Sequence, residues 1–478
     1  MNYKIILNTL GWVVGFEAIC MVLPLICAFI YNEPMVNIFL FCILLCIVVG
    51  LILIKIPNKN KSMYAKEGFS IVALSWIFIS IFGAMPFYIS GYIPNFFDAL
   101  FEATSGFTTT GASILADVEI LPKSLLFWRS FTHWIGGMGV LVFLVAILPL
   151  SGGSNLHLIK AESTGPAVSK LVPKVKSTAK ILYGIYILMT VLQIILLLIG
   201  KMPLFDTLCI AFGTAGTGGF GIKNSSAADY SPYLQNVITV FMILFGIDFS
   251  VYYLILNRRF KMAFASTEVR AYLGIILTAT LLICINCRDL FANVADLFRH
   301  SAFQVGSIIT TTGYSTADFD KWPEFSKTIL VALMFIGACA GSTGGGMKVS
   351  RILIILKSIV KEIKIAAHPK STHKITMNGK MIEHETVRAV NVFMMSHLAI
   401  FAISLLLISI DNFDFTTNFT AVAATMNNIG PGLAGVGPTQ NFSGYSDFST
   451  LILTFNMLAG RLEIFPMLIL FSKYTWKK

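Results

Sequence analysis

A chain of 478 residues is long enough for two or three soluble domains, but 56% apolar and only 12% charged residues exclude that class. Mean hydropathy is +0.78, and successive apolar runs are long enough to cross a bilayer core. The net charge of +11 is placed by topology and does not indicate a nucleic-acid partner: basic residues gather in alternate loops, and the loops between them are acidic.

In chain order, the first apolar run, "MNYKIILNTLGWVVGFEAICMVLPLICAFI", is too long for a signal-peptide core and lacks a small-residue cleavage site, so it reads as a first span. Hydropathy pairs 8–30 with 36–54 as an N-terminal helix pair within residues 1–60. A unit then recurs: a long apolar helix, a shorter apolar segment, a polar turn and a second long helix. The units are 61–160, 161–262, 263–380 and 381–478. Their long helices lie near 68–91 and 121–149, 180–200 and 232–257, 270–286 and 325–363, and 387–410 and 447–472. The inserts are "FFDALFEATSGFTTTGAS", "LFDTLCIAFGTAGTGGFG", "VADLFRHSAFQVGSIITTTGYS" and "DFTTNFTAVAATMNNIGPG". The second long helix of the third unit is expected to be broken.

Each insert has helical spacing but is too short to span the membrane, so each is expected to enter and return on one side. Aligning the turns puts Gly111, Gly218, Gly313 and Gly430 in register. Basic clusters at Lys55–Lys66, Lys160–Lys180, Arg258–Arg270, Lys348–Lys380 and Lys473–Lys478 mark the cytoplasmic side. Asp98, Glu102, Asp117, Glu119, Asp206, Asp229, Asp289, Asp296, Asp318, Asp320, Glu324, Asp411 and Asp414 mark the outer face. Both termini are then cytoplasmic, and all four turns enter from outside. The fold class expected is an all-α polytopic membrane protein of about ten transmembrane helices, with four helix–pore-loop–helix repeats around one axis and four re-entrant loops.

Irregular backbone at membrane depth survives only where protein buries it or water reaches it. Four turns around an axis can replace a cation's hydration shell with carbonyls, while short helices aim their negative ends at the centre. The expected filter is Thr109, Thr110 and Gly111; Gly216, Thr217 and Gly218; Thr311, Thr312 and Gly313; Asn428, Ile429 and Gly430. The fourth turn lacks a Thr pair and the second is degenerate, so the sites are not four-fold symmetric.

Among other candidates, "GSTGGGMK" (341–348) lacks the ending and the preceding strand of a phosphate-binding loop. Cys284-x-x-Cys287 has no second pair, and the eight cysteines imply no disulfide framework. Arg129 and His133 lie one turn apart and are candidates to pair with pore-loop carboxylates, with structural packing the plainer role. Glu17 and Asp248, inside spans, are expected to be hydrogen-bonded. No nucleophile–base constellation or paired intramembrane carboxylates indicate an enzyme, and no dinucleotide fingerprint is present.

These motifs resemble the Trk, Ktr and HKT superfamily of potassium transporters, and within it the Trk-type membrane subunits. "TTTGY" (310–314) is similar to the T-V-G-Y-G filter of tetrameric potassium channels. "FWRSFTHWIGGMGVLVFLVAILP" (127–149), "GSTGGGMK", "NNIGPGL" (427–433) and "GRLEIFP" (460–466) resemble further Trk signatures over nearly the whole chain. The resemblance implies potassium as the transported ion and glycine-based potassium selectivity. It makes Gly341, Ser342, Thr343, Gly344, Gly345 and Gly346 an intramembrane gate beneath the filter. Arg461 is implied at the gate or in a local pair with Glu463, and Lys348 there or as a snorkelling cytoplasmic anchor. It further implies a homodimer in the cell inner membrane and a cytoplasmic nucleotide-binding regulatory subunit of the TrkA type contacting 258–270 and 357–385. The competing expectation is a symporter coupling potassium to protons or sodium.

Overall fold

The computed structural model describes residues 1–56, 64–139, 175–370 and 373–476. The second helix of the first unit beyond Gly139, and Lys59, Lys61, Lys160, Lys170 and Lys174 of the basic loops, lie outside the described residues. The chain starts with α1 (Tyr3–Cys20), α2 (Val22–Ile30) and α3 (Val36–Ile54). The helices α4 (Ala65–Ile89), α5 (Phe96–Phe107) and α6 (Lys123–Gly137) follow. Next come α7 (Val175–Ile199), α8 (Leu204–Gly216), α9 (Pro232–Phe245), α10 (Phe249–Leu256) and α11 (Phe260–Phe264). The third group is α12 (Thr267–Asn286), α13 (Val294–Ile309), α14 (Glu324–Ile336) and α15 (Val349–Ala367), and the last is α16 (His384–Ile408), α17 (Phe415–Asn427), α18 (Asp447–Arg461), α19 (Phe465–Phe471) and α20 (Lys473–Trp476). A two-stranded hairpin, β1 (Thr376–Met377) and β2 (Lys380–Met381), joins α15 to α16.

Six described helices are long and apolar enough to cross a bilayer, or seven if the pair α9–α10 counts as one span. In the second, third and fourth units the second long helix falls short of that length because it is broken. Between α9 and α10 the axis turns by 92°: the first helix ends at Gly246, and Asp248 caps the next by accepting from the Ser250 N–H at 2.8 Å. Between α14 and α15 lie twelve irregular residues that begin at Gly337 (φ +71°). Between α18 and α19, Glu463 and Ile464 both have positive φ, a conformation that costs a β-branched residue steric strain.

Three of the four short helices begin at a side-chain cap, and the second starts after Pro203. Asn95 Oδ1 accepts from the Phe97 N–H (2.8 Å), Asn293 Oδ1 from Ala295 (3.0 Å) and Asp414 Oδ2 from Thr417 (3.0 Å). Long helices surround them and leave large apolar side chains such as Ile19, Leu44, Leu277 and Leu406 exposed on the outside, the pattern of a protein whose solvent is lipid. The N-terminal pair is fastened to the first unit by Glu33, whose carboxylate accepts from the Lys123 and Ser124 N–H groups at 2.7 and 3.1 Å and so caps α6.

Two expected placements change. Glu102 is not an outer-face charge: it is fully buried, 2.6 Å from Arg129 Nε. Glu17 is also enclosed, against Gly83, and neither carboxyl oxygen has a hydrogen-bond partner.

Candidate functional site

Each short helix ends in the same hydrogen-bonded cap. In α5 the Thr109 N–H donates to Gly106 O (3.1 Å) and the Thr110 N–H to Ser105 O (2.9 Å). The bonds recur from Thr217 to Thr214 and Gly218 to Gly213 (3.0 and 2.8 Å), from Thr311 to Ile308 and Thr312 to Ser307 (3.0 and 2.8 Å), and from Asn428 to Thr425 and Ile429 to Ala424 (3.4 and 3.0 Å). This is a Schellman motif, which needs a left-handed residue after the helix. Thr109, Thr217, Thr311 and Asn428 take that position, with φ of +56°, +55°, +60° and +56°.

Two residues later comes a second positive φ, at Gly111 (+78°), Gly219 (+78°), Gly313 (+89°) and Gly430 (+94°). The structure therefore shifts the second turn by one residue. Gly219, not Gly218, is the counterpart of Gly111, and Gly216 ends α8 where Thr108, Thr310 and Asn427 end the other caps. A Thr-Gly pair stands in both turns, but one position apart relative to the cap. The aromatic residue after the glycine, Phe220 in one turn and Tyr314 in another, carries the correct register.

The four glycines close a circle. A Cβ on Gly111 would overlap Gly218 O, one on Gly219 would overlap Thr312 O, and one on Gly313 would overlap Ile429 O. On Gly430 it would lie 2.9 Å from Thr110 O. Each glycine thus lies against the carbonyl that precedes the glycine of the next turn. The carbonyls of Thr110, Gly218, Thr312 and Ile429 are thereby crowded into one ring at the C-terminal ends of four helices, where the helix dipoles are negative.

Side chains brace the ring from behind. Thr108 Oγ1 meets Thr110 Oγ1 at 2.8 Å and Thr310 Oγ1 meets Thr312 Oγ1 at 2.7 Å. Asn428 Nδ2 donates to Thr110 Oγ1 (2.9 Å) and to Met457 O (2.9 Å). Tyr314 is fully buried, its hydroxyl 3.4 Å from Ile210 O. His133 pairs with no carboxylate. Its Nδ1 lies 2.7 Å from Gly106 O and its Nε2 accepts from the Phe220 N–H at 3.2 Å, so one neutral ring bridges the first and second turns. Arg129 does find the carboxylate of Glu102, and it also donates to Gly221 O (3.0 Å) and stacks 3.8 Å over Phe220. The oxygens the fold brings together at the four turns are backbone carbonyls.

The glycine-rich stretch lies directly against this ring. The Gly345 N–H donates to Thr311 Oγ1 at 2.6 Å, and a Cβ on Gly345 would come within 2.6 Å of Asn427 O. Thr343 Oγ1 donates to Phe245 O (3.2 Å), while Gly341 packs against Asp248. Ser342 Oγ donates to Cys339 O at 2.6 Å, and Gly346 (φ +74°) folds back on Gly337. Lys348 does not snorkel: it is buried and its ammonium donates to Gly344 O. Arg461 spans from this stretch to the first unit, donating to Thr343 O (2.9 Å), Gly136 O (2.5 Å) and Gly137 O (3.0 Å). Glu463 is engaged by Arg351, an ion pair between α15 and the α18–α19 break that sequence spacing does not announce.

The sequence model of the cation transport protein family TrkH matches residues 34–285 and 290–477. The chain belongs to the TrkH family. The Trk system potassium uptake protein TrkH of Salmonella typhimurium is 34% identical over 487 residues, covering 100% of both chains, and that of Escherichia coli strain K12 is 34% identical with the same coverage. The crystal structure of the potassium transporter TrkH from Vibrio parahaemolyticus superposes with a TM-score of 0.90 at 31% identity, again over 100% of each chain. The TrkH-family chain is therefore a helical membrane protein with the architecture of that transporter.

Proposed function

We propose that this chain takes up potassium through a pore whose filter is the carbonyl ring at Thr110, Gly218, Thr312 and Ile429. The observation that carries the proposal is the closed circle of glycines, Gly111, Gly219, Gly313 and Gly430, each against the next turn's carbonyl. A ring of carbonyls with helix C-termini behind it replaces the hydration shell of a monovalent cation and needs no buried carboxylate. Its relatives named for potassium uptake supply the ion. In this proposal the chain forms four helix–pore-loop–helix repeats after the N-terminal pair, with about ten crossings. All four turns enter from outside, and both termini are cytoplasmic in a cell inner membrane.

The stretch from Gly341 to Gly346 is then the gate, held under the ring by Thr311, Lys348 and Arg461. The chain works as a homodimer, with a cytoplasmic nucleotide-binding subunit on its basic loops. Flux through purified protein in liposomes under separate K⁺, Na⁺ and H⁺ gradients tests the pore. Flux driven by a potassium gradient alone supports it; an obligatory dependence on a second ion replaces it with a symporter. Deleting 343–346 raises basal flux if the stretch is a gate, and a silent variant removes that role.

A further inference from the structure

Glu268, in the first turn of α12, is a buried carboxylate whose hydrogen-bond partners are backbone N–H groups outside its own helix. Its Oε1 accepts from the Ala340 N–H at 2.7 Å and from the Ser350 N–H at 3.0 Å. Those two residues bracket the stretch from Gly341 to Lys348. One oxygen thus ties together the two ends of the irregular segment that lies against the carbonyl ring. Ser350 is also in the first turn of α15, where N–H groups lack helical partners and the dipole favours an anion. Lys348, at the start of that helix, has φ +76° and offers no cap, so Glu268 supplies one from another helix.

The break between α9 and α10 completes the seat. The Cys339 N–H donates to Gly246 O and the Phe249 N–H to Gly341 O, both at 3.0 Å. Both helices that hold the stretch, α10 and α12, are joined by the exposed basic elbow around Arg258, Arg259 and Lys261. The residue beside Glu268 is in turn gripped from the cytoplasmic hairpin. Asn378 Oδ1 accepts from the Thr267 N–H (2.7 Å), and the Asn378 N–H donates to Thr267 Oγ1 (3.3 Å). Asn378 and Gly379 form its two-residue turn, with φ of +52° and +74°, and Lys357 Nζ pins Thr376 O at 2.6 Å. Hairpin, Thr267, Glu268 and both ends of the stretch form one continuous hydrogen-bonded path.

We propose that Glu268 is the positioning residue of the gate and that the hairpin at 376–381 sets its hold through Asn378 and Thr267. The proposal rests on the gate reading above. Displacing the hairpin moves the first turn of α12, releases Ala340 and Ser350 together, and frees the stretch from beneath the ring.

The test compares passive potassium flux in liposomes, per amount of monodisperse protein, for Glu268→Ala, Glu268→Gln and Asn378→Ala. Each is made in the full chain and in a chain lacking 343–346. Glu268→Ala, which removes both hydrogen bonds to the charged group, is expected to raise basal flux in the full chain at least about ten-fold. Glu268→Gln, which keeps an acceptor without the charge, and Asn378→Ala raise it less. In the deleted background none of the three changes flux further. A merely structural role would lower folded yield and flux in both backgrounds. If deletion raises flux but Glu268→Ala leaves the full chain unchanged or less active, the clamp is overturned and the gate stands. If deletion itself has no effect, the gate reading falls and the clamp with it. Asn378 is exposed and its replacement spares the core, so it reports even if Glu268→Ala does not fold; unchanged flux for Asn378→Ala overturns the hairpin's part.

Discussion

A methyl group has no room at Gly219, because it would overlap Thr312 O, an atom of the neighbouring backbone that no rotamer change can move. The same holds at Gly111 and Gly313, and positive φ adds strain for any L side chain. Gly219→Ala is therefore expected to abolish potassium-selective flux, whether by loss of folded protein or by displacement of the ring, whereas Gly184→Ala, with open space around its Cβ position, leaves flux unchanged. Gly111→Ser pushes the first turn away from Gly218 O and widens one quadrant. Permeability to sodium relative to potassium should rise, and a bi-ionic flux assay showing unchanged selectivity would remove Gly111 from the filter. His133 takes the packing role that the sequence offered as the plainer of its two readings. Between the first and second turns it is a brace, satisfied by a carbonyl on one nitrogen and an N–H on the other, and it needs no carboxylate.

At the scale of elements, the four short helices end alike although their turns are spelled differently. The Schellman cap is made of backbone bonds and asks only that one residue tolerate the left-handed region. Threonine and asparagine occupy it here, held by complete burial at Thr109, Thr217, Thr311 and Asn428. The broken second helices follow the same economy of backbone: the carbonyls and N–H groups freed at Gly246 and Phe249 pair with those of Cys339 and Gly341, as membrane depth demands. Thr311 links the two systems, since its hydroxyl accepts from the Gly345 N–H. Thr311→Val keeps the branched shape and removes that acceptor, leaving a buried N–H unpaired at a cost of about 1–3 kcal/mol. Basal potassium flux should rise several-fold in liposomes with the amount of folded protein unchanged, and unaltered flux would show that this bond does not hold the stretch in place.

Across the whole molecule, the N-terminal pair is joined to the first unit by local chemistry. Glu33 caps α6 from α2's end, and Lys123 lies 3.9 Å over the ring of Tyr31. Because α6 carries Arg129 and His133 to the carbonyl ring, loosening its start should be felt as stability before selectivity. Glu33→Ala removes a helix cap worth about 0.5–2 kcal/mol. The expected outcome is a lowered melting temperature in detergent with the K⁺/Na⁺ selectivity of the folded fraction retained; a selectivity change without destabilisation would place Glu33 nearer the pore than its geometry does.

The amino-acid pattern by itself determined the membrane class, the long apolar helices, the short helices with their polar turns, and the glycine-rich break after Ile336. Each of these is local, set by hydropathy length, helix caps and residues that tolerate positive φ. Tertiary structure alone decided the register of the second turn, because "GTGG" offers two glycines and only the contact with Thr312 O chooses between them. It also decided that every second long helix seen on both sides of its break is interrupted. Those breaks at Gly246 and Glu463 are tolerated through partners far along the chain, and one-dimensional periodicity cannot display such partners. The pairings of Arg129 with Glu102, Arg351 with Glu463, Arg461 with three carbonyls and Glu268 with both ends of the glycine-rich stretch belong to the same class. These buried charges are each met by a donor or acceptor, as burial favours, and which one meets them depends on how the helices cross.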